Sequence, residues 1–112
     1  MKTLSLIFLM LFGLNISIAK DSLAEATIKV SGNCEMCKKT IELAAWQKGV
    51  KTAQWNKETK TLFVKYSPSK ITLEQIETNV AKSGYDTEHV KASDTTYGNL
   101  HQCCQYPRES EK

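Results

Sequence analysis

The sequence predicts an α+β fold in which four strands form one antiparallel sheet and two helices cover a single face of it. Three observations lead there. Short runs at residues 25–30, 50–56 and 61–66 alternate apolar with polar side chains, the period of a strand buried on one side only. Two other stretches, beginning at Cys37 and at Leu73, carry apolar residues at helical spacing. Only "KETK" (57–60) separates the second and third runs, which makes them an antiparallel hairpin.

The elements follow in order. "EATIKV" (25–30) places Ala26, Ile28 and Val30 on one face of a first strand. From Cys37 to Lys48 the stripe Cys37, Ile41, Ala44 and Ala45 defines the buried face of a first helix, which Gly49 ends. "VKTAQWN" (50–56) and "TLFVKY" (61–66) form the hairpin, with Leu62, Val64 and Tyr66 facing inward. Pro68 stops the third strand, since proline has no N–H to give a ladder. Thr72 followed by Gln75 is a capping-box pattern opening a second helix, whose buried stripe is Leu73, Ile76, Val80 and Ala81 and which closes at Gly84. "YDTEHVKA" (85–92) is the expected fourth strand. This order is that of a ferredoxin-like βαββαβ open-faced sandwich spanning residues 25–92. Trp55 is expected in the core, Trp46 over the hairpin, and Phe63 on the open face of the sheet. His89 reads as a solvated or partly packed residue, not a ligand.

The chain opens "MKTLSLIFLMLFGLNISIAK". A basic start, a short apolar run and a small-x-small site at Ser17–Ala19 make residues 1–19 an expected signal peptide, placing the mature chain in the periplasm or outside the cell. Residues 20–112 retain 14 of the 15 basic and all 12 acidic side chains, interspersed. There is no basic stripe of the kind that binds nucleic acid, and a membrane is expected only as the location of a partner. All four cysteines lie in that mature portion, in a compartment where disulfides persist.

Two of the cysteines stand in "GNCEMCKKTIE" (32–42), where a loop gives way to the first helix. At a helix N-terminus, unpaired N–H groups favour thiolate over thiol. Two thiolates on such a loop can grip a soft d¹⁰ ion such as Cu(I) from opposite sides, whereas structural zinc asks for four ligands. A thiol–disulfide exchange pair, a small structural disulfide, and a zinc site completed by the tail remain open for Cys34 and Cys37. The hairpin at 50–66 argues against the parallel sheet of a thioredoxin-like enzyme.

"GNCEMCKKTIE" after the first strand, Gly49-Val50 after the first helix and "SGYD" (83–86) after the second together resemble the heavy-metal-associated domain family. That family includes copper chaperones, the metal-binding modules of copper-pumping ATPases and exported mercury-binding proteins. The resemblance implies that Cys34 and Cys37 hold one soft ion, Cu(I) foremost with Hg(II) or Zn(II) as alternatives. It implies a carrier without catalysis, exchanging its ion with a metal-transporting ATPase or another metal-binding protein. It also implies that Tyr85 lies beside the loop and screens the ion. The chain departs from the family pattern at Gly32, where a methionine normally packs beneath the loop, so the loop is expected to be less buttressed. Met36, between the cysteines, is a candidate weak third ligand.

Residues 93–112 form a tail with no periodicity, and "HQCC" (101–104) is its chemically dense part. Vicinal cysteines seldom bond to each other without strain. His101, Cys103 and Cys104 could bind metal, add ligands to the loop pair, form disulfides with it, or link two chains. The sequence does not place the tail relative to the loop.

Overall fold

The computed structural model describes residues 22–108; the expected signal peptide at 1–19 lies outside them. Strand β1 (Ala24–Lys29) leads through a loop to helix α1 (Glu35–Ala45), followed by β2 (Val50–Asn56), β3 (Thr61–Tyr66), α2 (Leu73–Lys82) and a short helix α3 (Asp94–Gly98). A 3-10 turn at Gln102–Cys104 is the last element among the described residues. The three strands found among the described residues pair antiparallel in the order β1-β3-β2, with Leu62 opposite both Ile28 and Trp55. The two hairpin strands have the bounds their alternation predicts.

Each strand turns one row of side chains toward the helices. Ile28, Ala53, Trp55, Leu62 and Val64 from the sheet meet Cys37, Ile41 and Ala45 of α1 and Ile76 and Val80 of α2 in one core. Phe63, between Thr27 and Gln54, lies on the open face and is half buried. The capping box on α2 is complete. The Gln75 N–H donates to Thr72 Oγ1 (3.0 Å), and the Thr72 N–H donates to Gln75 Oε1 (2.9 Å). Past its end, Gly84 adopts φ +106°, the left-handed conformation that glycine enters without penalty.

Two expectations are corrected. Helix α1 stops at Ala45, short of Lys48, and leaves Trp46 exposed instead of laid over the hairpin. The fourth strand is reduced to one bridge, Val30 with Thr87, beside a hydrogen bond from the Ser31 N–H to the Asp86 carbonyl (2.9 Å). The reason lies in where the segment's amides go. The Asp86 N–H donates to the Tyr106 hydroxyl, and that of Ala92 to Asp86 Oδ1. His89 gives its N–H to Glu77 Oε1, Val90 to Thr87 Oγ1, and Thr87 to the Val90 carbonyl. With those donors taken by side chains and a local turn, no ladder can run along β1.

Candidate metal site

The site begins where β1 ends. Behind Val30 the chain turns over the indole of Trp55, whose Nε1–H donates to the Val30 carbonyl (2.9 Å). A Cβ on Gly32 would stand 2.8 Å from Trp55 Cζ2 and 3.1 Å from Ile41 Cδ1. Lys60 Nζ donates to the Gly32 carbonyl (2.8 Å). The loop is therefore not left unsupported by the absence of a methionine at 32. An indole from β2 fills the space, and a larger residue at 32 would collide with it.

Cys34 is the N-cap of α1, in an extended conformation (φ −145°), and Cys37 stands in the first turn. Their sulfurs are 3.5 Å apart. No side-chain capping hydrogen bond forms at Cys34, yet the Cys37 N–H faces its sulfur and is the main influence lowering the thiol pKa to about 7. Burial opposes this, while the Cys37 thiol, the Met36 N–H and the Cys104 thiol reinforce it. Lys38, next along the helix, is engaged elsewhere. Its ammonium binds Glu42 Oε2 (2.6 Å) and the Trp55 carbonyl (3.2 Å), and Glu42 in turn accepts the Trp55 N–H at the edge of β2.

The two thiols differ in access. Cys34 is partly exposed and Cys37 fully buried, so only the first is presented to solvent. Tyr85, itself buried, lies next to the Cys37 and Cys104 thiols; burial, then the Cys104 contact, push its phenol well above the usual range.

The tail supplies what the sequence could not place. Cys104 is buried, and its sulfur, with those of Cys34 and Cys37, forms a group whose members all lie within 4.8 Å of one another. Cys103 is exposed and turns away, its sulfur 4.0 Å from Met36 Sδ. Its carbonyl accepts from Asn33 Nδ2 (3.3 Å) and, at 3.8 Å, from the Cys34 thiol. His101 is exposed and stands outside the three-sulfur group, as does Met36. All four cysteines are free thiols.

Two bolts hold the tail there. The Tyr106 hydroxyl donates to the Gly84 carbonyl (2.8 Å) while accepting the Asp86 N–H (2.9 Å), and its ring packs on Tyr85 and Tyr97. Arg108 grips both carboxylate oxygens of Asp86 (2.8 and 3.0 Å) and reaches Asp94 and the Ala92 carbonyl. Neither anchor carries a periodic or motif signal. Only the density of cysteines marked the tail as chemically interesting.

Residues 27–86 match the model of the heavy-metal-associated domain. The chain belongs to that family. Over 68 residues it is 34% identical to the copper chaperone CopZ of Staphylococcus epidermidis, a span that is 59% of this chain and all of that one. Among solved structures, it resembles the N-terminal domain of a potential copper-translocating P-type ATPase from Bacillus subtilis in the Cu(I)-loaded state. The match has 25% identity and TM-score 0.57, covering 65% of this chain and 94% of that one. Oxidised MerP from Ralstonia metallidurans matches at 24% identity and TM-score 0.56, covering 59% and 94%; that likeness is one of fold. The family match ends before the tail, so Cys104 lies outside it.

The donor set suits a soft ion. With metal–sulfur bonds of about 2.3 Å, two thiolates on opposite sides of an ion stand about 4.6 Å apart. Cys34 and Cys37, at 3.5 Å, must open by about 1 Å, well within a side-chain rotation at the N-cap. A structural zinc site takes four protein ligands, and the group among the described residues offers three.

Proposed function

We propose that this heavy-metal-associated domain binds one soft metal ion, Cu(I) foremost, between Cys34 and Cys37, and carries or sequesters it outside the cytoplasm without catalysis of its own. The observation that carries the proposal is the sulfur pair, 3.5 Å apart at a helix N-terminus, with one member near pKa 7 and open to solvent. A thiolate already ionised near neutral pH can take up a soft cation without a large proton penalty. The similarity to a copper chaperone and to a Cu(I)-loaded ATPase domain supports copper as cargo and a metal-transporting ATPase, or another metal-binding protein, as donor or acceptor. The apolar leader at 1–19 supports export.

The test is competition for Cu(I) between the reduced chain and a chromophoric chelator, repeated with Cys34→Ser and with Cys103→Ser. Tight one-to-one binding that survives in Cys103→Ser and is weakened in Cys34→Ser is expected. Unchanged affinity in Cys34→Ser refutes the loop site. N-terminal sequencing of the chain recovered from its native compartment tests export, with cleavage at or just after Ala19 expected.

A second reading rests on the same asymmetry. A low-pKa, accessible Cys34 beside a buried Cys37 is also the arrangement of an attacking and a resolving thiol. Turnover in an insulin-reduction assay would favour it; the carrier reading expects none above background.

A further inference from the structure

The geometry points to Cys104 as a third thiolate ligand, supplied by the tail, that makes this a retaining site for the ion and not merely a two-sulfur exchange site. The inference rests on the reading of Cys34 and Cys37 as ligands and adds to it a residue outside the matched domain.

Three sulfurs around one ion in a plane, with bonds of about 2.3 Å, stand roughly 4.0 Å apart. The Cys34, Cys37 and Cys104 sulfurs already lie within 4.8 Å of one another, with Cys34 and Cys37 at 3.5 Å. Adjustments of less than about 1 Å convert the group into a trigonal site. The third ligand is also preorganised. On one side, the Cys104 N–H closes the 3-10 turn on the His101 carbonyl (2.7 Å). On the other, Tyr106 and Arg108 fasten the chain to Gly84 and Asp86. Asn33 Nδ2 reaches across to the Cys103 carbonyl, so loop and tail are joined beside the site. A structural role alone would be served as well by an apolar side chain in that buried position. A thiol aimed at two other thiols is the donor set of a soft d¹⁰ ion, with thiolate the ligand type such ions prefer.

The consequence concerns release. A carrier hands over its ion when a partner's thiolate enters the coordination sphere. Here that position is filled by Cys104, tethered to the same chain and present at a high effective concentration. A partner must first displace it. Each thiol yields its proton to solvent on binding, and the ion's oxidation state does not change. Such a site stores or buffers a soft ion and gives it up slowly.

The test is X-ray absorption on monomeric fractions of the reduced chain loaded with one equivalent of Cu(I), alongside Cys104→Ser, Cys104→Ala and Cys103→Ser. Circular dichroism confirms that the variants fold. Three sulfur neighbours in the wild-type chain and in Cys103→Ser, falling to two in the Cys104 variants, is the expected result. Transfer of copper to excess chelator should then be at least tenfold faster from Cys104→Ser. Two sulfurs in the wild-type chain overturns the inference, needs no variant, and leaves the loop site standing. Loss of copper binding by the wild-type chain overturns the underlying reading instead.

Discussion

The six-membered ring of Trp55 lies against Gly32 so closely that a Cβ there would come within 2.8 Å of Cζ2 and 3.0 Å of Cη2. The indole cannot retreat, because it is 2% exposed and its N–H is bound to the Val30 carbonyl. Gly32→Ala is therefore expected to cost about 1–3 kcal/mol by overpacking, read from guanidinium unfolding. In a Trp55→Leu background the same substitution should cost less, since the two residues share one space. Equal costs in both backgrounds would show that the contact does not limit residue 32.

Cys34, lowered to about 7, and Cys104, pushed up to about 12 chiefly by burial, should separate in alkylation. A lower pKa means thiolate at lower pH, so iodoacetamide labelling of Cys34 rises through pH 7 and not through the ordinary value of 9.0. Mass mapping at pH 7 should find Cys34 labelled and Cys104 protected. A Cys34 midpoint near 9 would remove the electrostatic argument for the loop.

Glu77, buried in α2, binds the Thr87 hydroxyl (2.7 Å), the His89 N–H (2.8 Å) and His89 Nδ1 (2.8 Å). Burial opposes its ionisation, but the bonds from His89 and Thr87 outweigh it and hold the carboxyl below 4.5, while Glu77 raises His89 above 6.5. The raised histidine contributes stability that is complete below 6.5 and lost as pH rises through its folded pKa. The depressed carboxyl contributes above 4.5 and fades as pH falls. The stability gap between the wild-type chain and His89→Ala should thus be widest between those two values and narrow as pH rises through the raised His89 pKa. A gap independent of pH would mean the pair does not titrate as a pair.

Tyr106→Phe removes the hydroxyl that serves both the Gly84 carbonyl and the Asp86 N–H. Leaving those buried groups unpaired is expected to cost about 1–3 kcal/mol. Because the same bond fastens the tail, Cys104 should also become open to alkylation under native conditions. A destabilised variant in which Cys104 stays protected would show that the tail's other bonds, those of Arg108, Gln105 and Asn33, hold it in place without the Tyr106 hydroxyl.

Much of this was legible from local pattern. The hairpin bounds, the Thr72–Gln75 box and the buried stripes of both helices each rest on residues close in sequence, where period and capping chemistry decide. The Cys34–Cys37 pair announced itself by spacing. What stayed hidden depends on contacts across the fold. Residues 85–92 read as a strand because Tyr85, Thr87 and Val90 suit one, yet Glu77, Asp86, Thr87 and Tyr106 take their amides. Gly32 looked like a lost support because its replacement, Trp55, comes from 23 positions along the chain. Cys104 could not be placed because Tyr106 and Arg108 fix the tail by long-range side-chain bonds that leave no periodic trace.

The central claim, that Cys34 and Cys37 together hold one soft ion, is tested most directly by native mass spectrometry of the reduced chain after Cu(I) loading. The wild-type chain should carry one copper, and Cys34→Ser/Cys37→Ser should carry none. One copper retained by that double variant would contradict the account, since the metal would then be held elsewhere.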